Sequence, residues 1–343
     1  MSQDLLTLLR DHGAFDPAPR NAELHDMHVP FDELSGSHLC EQALLAGLLA
    51  GDRIAMLGAS GSGKSSVVAH TLGPLVEGIF PITVPVFPEP AKVVGNTTEF
   101  VAHLVRTISR MLEGNRPALS RPAKEMERRS SPSPDRTRRH RVSAGWRQAG
   151  IGPELAYELE RAVNEPAPTA GQVLDQGRQI LDLVSADGLV PVLILDDTDR
   201  WSVATRPEIA QLRRDFFLTV PRLLAEDLGA PAVIAVHPEY LADPGYQAAQ
   251  GFLTGAIRVP RVPSAAAVGA ILGRRVELAL GAGADVSEVI TADALEVLFA
   301  HYSAWPSNIR RNILLPAHTA LSLALDDGVD LIDEGHLLVA ITS

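Results

Sequence analysis

The chain has 343 residues, a formal net charge of −12, 46% hydrophobic residues and 21% charged ones. That length allows one large domain plus a smaller one, and the composition is that of an ordinary globular chain. The single cysteine, Cys40, excludes an internal disulfide framework and any cysteine-based zinc cluster, and reads as a small buried apolar side chain. Met1-Ser2-Gln3-Asp4-Leu5-Leu6 lacks a basic flank and a long apolar stretch, and no apolar run is of membrane-spanning length. No signal peptide, no membrane contact and a cytoplasmic location are therefore expected. The charge is uneven. Between Arg116 and Arg147, nine Arg and one Lys face Glu125, Glu127 and Asp135, a net of +7 that leaves −19 on the rest. A mostly acidic body disfavours broad binding to nucleic acid, while the basic segment keeps a narrow contact open.

Residues 1–28 predict a short helix carrying Leu5, Leu6, Leu8 and Leu9, then a linker with Pro and Ala. A helix is expected from Pro30 to Gly51, with Leu39, Ala43, Leu44, Leu48 and Leu49. Arg53-Ile54-Ala55-Met56-Leu57 has the apolar run of a strand buried on both faces. Next comes Gly58-Ala59-Ser60-Gly61-Ser62-Gly63-Lys64-Ser65, which fits the phosphate-binding pattern G-x-x-x-x-G-K-[ST] at every fixed position. Its glycines let successive N–H groups turn inward around an anion, and the helix that follows adds its positive end. Lys64 is expected to reach β- and γ-phosphates and Ser65 to ligate Mg²⁺. Ser66 completes the phosphate-binding set.

Ile79 to Phe87 predicts a second strand, demoted by its prolines to a sheet edge or irregular strand. Asn96-Thr97-Thr98-Glu99 opens a helix with Phe100, Val101, Leu104, Val105, Ile108, Met111 and Leu112 at helical spacing. Residues 115–148, with Arg128 to Arg141 almost free of apolar side chains, read as a mobile solvated insertion or as a docking arm for nucleic acid or an acidic partner. Helices are expected over 153–162 and about 172–184. Leu189 to Leu195 is an apolar strand ending in Asp196 and Asp197. In a phosphate-binding-loop protein the first acid holds Mg²⁺, directly or through water, and the second orients or deprotonates the attacking water. Asp199 and Arg200 are open between a subunit contact and a turn cap. Thr205-Arg206-Pro207-Glu208 predicts a capping box, leading a helix to Leu224 with a possible kink at Pro221. Ala230 to Pro238 is a buried strand ending at His237, and Gly255 to Pro260 a short last strand. Beyond residue 261 the pattern is helical, with Ser264 and Thr291 opening two helices.

The phosphate loop, the apolar strand with Asp-Asp and the third strand with a polar end resemble an AAA+ or STAND-type ATPase. Trp305-Pro306-Ser307-Asn308-Ile309-Arg310-Arg311-Asn312-Ile313-Leu314 is similar to the G-[ND]-x-R-x-x-L start of the sensor 2 helix in origin-recognition-type initiators, with Ser307 in the glycine's place. The resemblance covers about residues 30–343. It implies an α/β P-loop NTPase fold with a mostly parallel sheet and helices on both faces. The core would span 29–260, with the insertion at 115–148, and a small all-α lid would span 261–343. It implies ATP and Mg²⁺ as cofactors. Arg310 would meet the γ-phosphate from the lid, with Arg311 as the fallback. His237 would stand at the sensor 1 position, where Asn, Ser or Thr is more usual. Phe31 or Leu34 would either lie near the adenine or simply pack. Arg200, Arg206, Arg213, Arg214 and Arg258 are all candidates for an arginine finger. The initiators' winged helix would be expected to follow the lid, and with the sequence ending at Ser343 the expectation is against sequence-specific DNA binding; the repeats or effector domains usual in STAND proteins are not read in these residues. The expected function is a nucleotide-controlled switch of assembly or partner binding, hydrolysing ATP slowly through Asp197, Lys64 and Arg310. Its partners would be ATP or ADP and a second copy or another protein. The alternatives are a DNA-associated ATPase (a loader or a regulator of transposition or replication), a P-loop small-molecule kinase, and nucleotide binding without turnover.

Overall fold

The computed structural model describes residues 2–17, 24–35, 39–73, 77–87, 89–130, 168–201 and 206–343. Its centre is a five-stranded, wholly parallel sheet made of β1 (Arg53–Leu57), β2 (Ile79–Thr83), β3 (Val190–Leu195), β4 (Ala232–Val236) and β5 (Gly255–Arg258), in the order β2-β3-β4-β1-β5. This is an α/β sheet with a helical part after it. β1, which leads into the glycine-rich loop 58–65, lies between β4 and β5, and β4 separates β1 from β3. The prolines obey the ladder. Pro81 lies in the edge strand β2, and Pro191 precedes the Leu193↔Ala232 pair at which β3 begins to meet β4.

Because side chains alternate along a strand, each strand feeds two cores. Ala55, Leu57, Ile82, Leu193, Leu195, Ile234 and Val236 face one core. The helices α5 (Pro90–Val93), α6 (Thr97–Asn115), α7 (Pro117–Ser130), α8 (Ala170–Ala186), α9 (Pro207–Arg222) and α10 (Pro244–Ala249) lie on that side. Ile54, Met56, Val192, Ile194 and Val233 face the other core. There they meet α2 (Phe31–Ser35), α3 (Cys40–Leu49), α4 (Lys64–Thr71) and the C-terminal helices α11 (Ala265–Leu280), α12 (Ala292–Ala304), α13 (Arg311–Asp326) and α14 (Glu334–Thr342). The helical part thus shares one continuous apolar core with the face of the sheet that carries α4. Asn96, Ser264 and Thr291 each cap the helix their sequence predicts, accepting backbone N–H groups from Thr98 and Glu99, from Ala267 and from Ala294.

Several expectations change. The region 30–51 is two helices, α2 and α3, rather than one, with residues 36–38 outside the described set. α9 starts from Arg206 as its N-cap, which puts Glu208 one position too early to close a capping box, and Thr205 lies outside the described residues. Pro221 does not end its helix. The chain continues through it into a π-helical turn, Leu223–Leu228, closed by left-handed Gly229 at φ 60°. The wider turn follows a residue that lacks an N–H and whose ring crowds the preceding turn. The first half of the basic insertion is helix α7, docked on α6 and α8 through buried Ala123 and partly buried Leu119 and Met126. Those three sit at i, i+4 and i+7, an apolar stripe narrow enough to be masked by the surrounding charge. The rest of the insertion and the 153–162 helix lie outside the described residues. No helix of the described residues is long and apolar enough to cross a membrane.

The opening helix α1 (Ser2–Asp11) packs on α11 and α13, far along the chain. Leu6, Leu9 and Phe15 are fully buried there, and Arg275 Nη1 donates to the Ala14 and Asp16 carbonyls at 3.0 Å each. Leu9→Ala, by removing buried methyl groups, is expected to cost about 2–4 kcal/mol, read as a lower denaturation midpoint. An unchanged midpoint would mean that α1 is not seated in this core.

Candidate phosphate-binding site

The loop between β1 and α4 is tied at its entrance by Gly58 N–H donating to Val236 O, 3.1 Å, so β4 sets where it begins. Two glycines are required by their surroundings. A Cβ on Gly58 would stand 2.3 Å from Ser62 Oγ, and one on Gly63, itself left-handed at φ 98°, would stand 3.2 Å from the Arg310 side chain. Lys64 opens α4 and is only 4% exposed. Its ammonium donates to Gly58 O at 2.7 Å, Ala59 O at 3.0 Å and Asp199 Oδ2 at 3.2 Å. Ser62 is fully buried, and its Oγ has no partner among the described residues. Ala59 is buried too, while Ser60, Gly61, Ser65 and Ser66 are half-buried. Ser66 Oγ pairs with His28 Nδ1 at 2.9 Å, and His28 Nε2 reaches Glu41 Oε1 at 2.8 Å. Glu41 as the acceptor fixes the proton on Nε2, which leaves Nδ1 to accept from Ser66.

Arg310 comes to the loop from the N-cap of α13. Asn308 anchors that approach by donating to Val259 O, 3.0 Å, and to Pro260 O, while Tyr302 OH donates to Asn308 Oδ1. Arg310 is 8% exposed, and its guanidinium lies 4.4 Å from the centre of the Phe31 ring. Burial lowers its pKa to about 10, so it remains charged at neutral pH. Its Nε and Nη2 have no hydrogen-bond partner among the described residues. Arg311 packs beside Gly61. A buried guanidinium with open N–H groups, at the positive end of α4 and against Gly63, is a seat for an anion.

The acidic side is built from β3. Asp196 Oδ1 accepts the Asp197 N–H at 2.9 Å. Asp197 is the sole described non-glycine residue with positive φ, at 63°. Such a backbone costs of order 1 kcal/mol and recurs at functional sites. Burial first, then Asp196, raises the Asp197 pKa, against the pull of Arg200 3.2 Å away. His237 follows β4 and caps the next turn by accepting Glu239 N–H at 3.3 Å. Burial lowers its pKa, and Lys64 is among the charges that add to this.

The structure therefore brings Lys64, Ser62, Gly63 and Arg310 together around the loop, with Asp199 added. Phe31 is the floor beneath Arg310, fully buried. Leu34 is buried nearby. Cys40 is buried, its thiol pushed up to about 12 by burial. Sequence reasoning missed His28, Glu41 and the Lys64 partner Asp199. The glycine cradle, the unpartnered Ser62 hydroxyl and the open Arg310 donors fit a polyphosphate. Ser65 and Asp196 are the hard oxygen donors that Mg²⁺ takes. Among the described residues no group of three His, Cys, Asp or Glu side chains forms a metal cage, so Mg²⁺ would be held here with phosphate oxygens.

No protein-family model and no curated protein matches the chain. Among solved structures it is similar to the Aeropyrum pernix ORC2 protein in ADPNP-ADP complexes, with 15% identity, 91% of this chain and 67% of that chain covered, and a TM-score of 0.49. The ADP form of that protein gives 16%, 88%, 66% and 0.48. Cdc6p from Pyrobaculum aerophilum gives 17%, 89%, 68% and 0.47. The chain spans about two thirds of the length of each.

Two outcomes follow from the buried cation and the buried histidine. Arg310→Met, which replaces an unpaired buried charge by an apolar side chain of similar reach, is expected to stabilise the ligand-free chain by about 1–2 kcal/mol while removing stabilisation by polyphosphates; thermal unfolding with and without tripolyphosphate measures both. His28 has its pKa lowered to about 4 by burial, with Arg310 adding to this against Glu41. A folded value below the unfolded one means that unfolding takes up a proton between about pH 6.5 and pH 4. The stability contributed by neutral His28 is whole above pH 6.5 and lost as pH falls through that window. In His28→Gln, the pH slope of stability over the window should shrink by about one proton.

Proposed function

We propose that the chain binds ATP with Mg²⁺, hydrolyses it slowly, and uses the terminal phosphate to fix the lid, residues 261–343, against the core, residues 29–260. One observation carries this reading. Arg310, from the lid, is buried against the glycine loop of the core with its Nε and Nη2 unpartnered. A γ-phosphate there would satisfy that cation and lie beside Lys64, bridging the two parts. Lys64 and the loop N–H groups bind the β- and γ-phosphates, and Ser65 and Asp196 hold Mg²⁺. The metal, when bound, neutralises charge on the phosphates. Asp197, set apart by its left-handed backbone and raised pKa, accepts a proton from the attacking water or orients it. His237 is a further neighbour of Lys64 through its charge.

A cavity of about 470 Å³ lies at the far end of α4, lined by His28, Val29, Pro30, His70, Ala270 and Arg274 among others. His70 is six residues beyond Lys64, about 9 Å along the helix, so the cavity suits the base of a nucleotide whose phosphates lie on the loop. The chain has no N-K-x-D guanine-reading sequence, which favours adenine. In the described half of the basic insertion, Arg128 and Arg129 pair with Glu125 and Lys124 pairs with Glu113. Those pairings engage part of the segment's positive charge within the chain.

Calorimetric titration with ATP and Mg²⁺, together with phosphate release, tests the proposal. Wild-type protein binds; Lys64→Ala weakens binding by more than about tenfold; Asp197→Asn keeps binding and loses about 10²-fold or more in turnover. Equal ATP affinity in wild type and Lys64→Ala would overturn it.

A further inference from the structure

We propose that Asp199 is an internal anion that competes with the phosphate ligand for Lys64 and so sets how tightly the site binds. The inference rests on the phosphate-binding role of the loop and adds a determinant of affinity to it.

An ammonium has three N–H donors. In Lys64 all three are engaged, by Gly58 O at 2.7 Å, Ala59 O at 3.0 Å and Asp199 Oδ2 at 3.2 Å. A phosphate oxygen must therefore displace one of these acceptors. The two carbonyls belong to a loop that is itself fastened: Gly58 N–H donates to Val236 O, and Ala59 O also accepts the Ser62 N–H, both at 3.1 Å. The carboxylate makes the longest of the three contacts and is the acceptor carried on rotatable bonds.

The backbone of Asp199 is pinned on both sides. Thr198 Oγ1 donates to Ala235 O, Tyr240 OH donates to Thr198 O at 2.9 Å, and Trp201 is buried with its ring 5.2 Å from that of Phe216. The turn Thr198–Trp201 therefore stays in place, and a phosphate that reaches Lys64 meets a carboxylate that must swing aside yet cannot leave. The Asp199 side chain is 15% exposed and that of Lys64 4%, so their attraction is little screened by water. Asp196 and Asp197 precede Asp199 at the end of β3, so a third negative charge close to the phosphates raises the threshold for binding.

The test compares wild type, Asp199→Asn, Asp199→Ser and Glu239→Gln, each alone and also carrying Lys64→Ala as the control for Lys64-dependence, by calorimetric titration with MgATP and, separately, with inorganic tripolyphosphate. Asp199→Ser supplies the reading if the Asn variant does not fold. Glu239 is a carboxylate with a 72% exposed side chain 3.8 Å from His237, and it reports the general effect of removing one negative charge. Asp199→Asn and Asp199→Ser are expected to bind both probes about tenfold tighter, and Glu239→Gln less than twofold. Lys64-dependent binding with unchanged or weaker affinity in the Asp199 variants, or a gain no larger than in Glu239→Gln, overturns the proposal alone. An absence of Lys64-dependent binding in wild type and Asp199 variants alike overturns both this proposal and the nucleotide reading beneath it.

Discussion

The backbone of the glycine loop passes so close to a buried guanidinium that a side chain at residue 63 would press on it. A Cβ there would stand 3.2–3.3 Å from Arg310 Cδ, Nε and Cζ. Much of the site is arranged around this approach. Phe31 supplies the floor under the cation, Asn308 and Tyr302 hold the turn that delivers it, and α4 directs its positive end toward the same place. Three stretches of chain, near residues 28–41, 58–66 and 302–311, converge on one charge.

The two cations of the site are in opposite conditions. Lys64 has its donors filled from within the protein, whereas Arg310 has Nε and Nη2 open. Holding a charge in a dry place without a matching acceptor is costly, and the aromatic face of Phe31 offsets only part of that cost. The C-terminal helices therefore rest against the sheet with the donors of Arg310 unfilled. Apolar packing holds them there, through the core shared by α3, α4, α11 and α13. An anion bound at Arg310 would act on a geometry already formed, which would reduce the ordering cost of binding.

The legible parts of the sequence were those in which neighbours along the chain are neighbours in space. Eight consecutive residues carry the phosphate loop. Alternation and apolar runs give β1, β3 and β4, and single capping residues at 96, 264 and 291 give three helix starts. Asn308 was legible as a motif letter, but its work, fastening the turn to Val259 and Pro260, was not. The illegible parts are polar pairings between distant residues. Lys64 meets Asp199 across 135 positions, and Ser66 meets His28 across 38. Such pairs have no period and no composition of their own, so pattern reading passes over them. α7 was hidden differently: three apolar positions among many charges are enough to dock a helix when two neighbours, α6 and α8, offer it a groove.

The seating of α1 bears on how the chain reaches its fold. Its apolar face, with Leu6 and Leu9, is covered by α11 and α13, and the hydrogen bond from Arg275 to Ala14 closes a loop of 261 positions. A ribosome adds about 5–20 residues per second, so this helix spends roughly 13–50 seconds of synthesis before its covering helices exist. During that time the sheet strands emerge in the order β1 to β5, and the α4 face they build lacks the C-terminal helices that cover it. Formation of the helical part is then a late event that needs both ends of the chain at once. Its contacts are among the most non-local in the molecule, the kind that slow folding most.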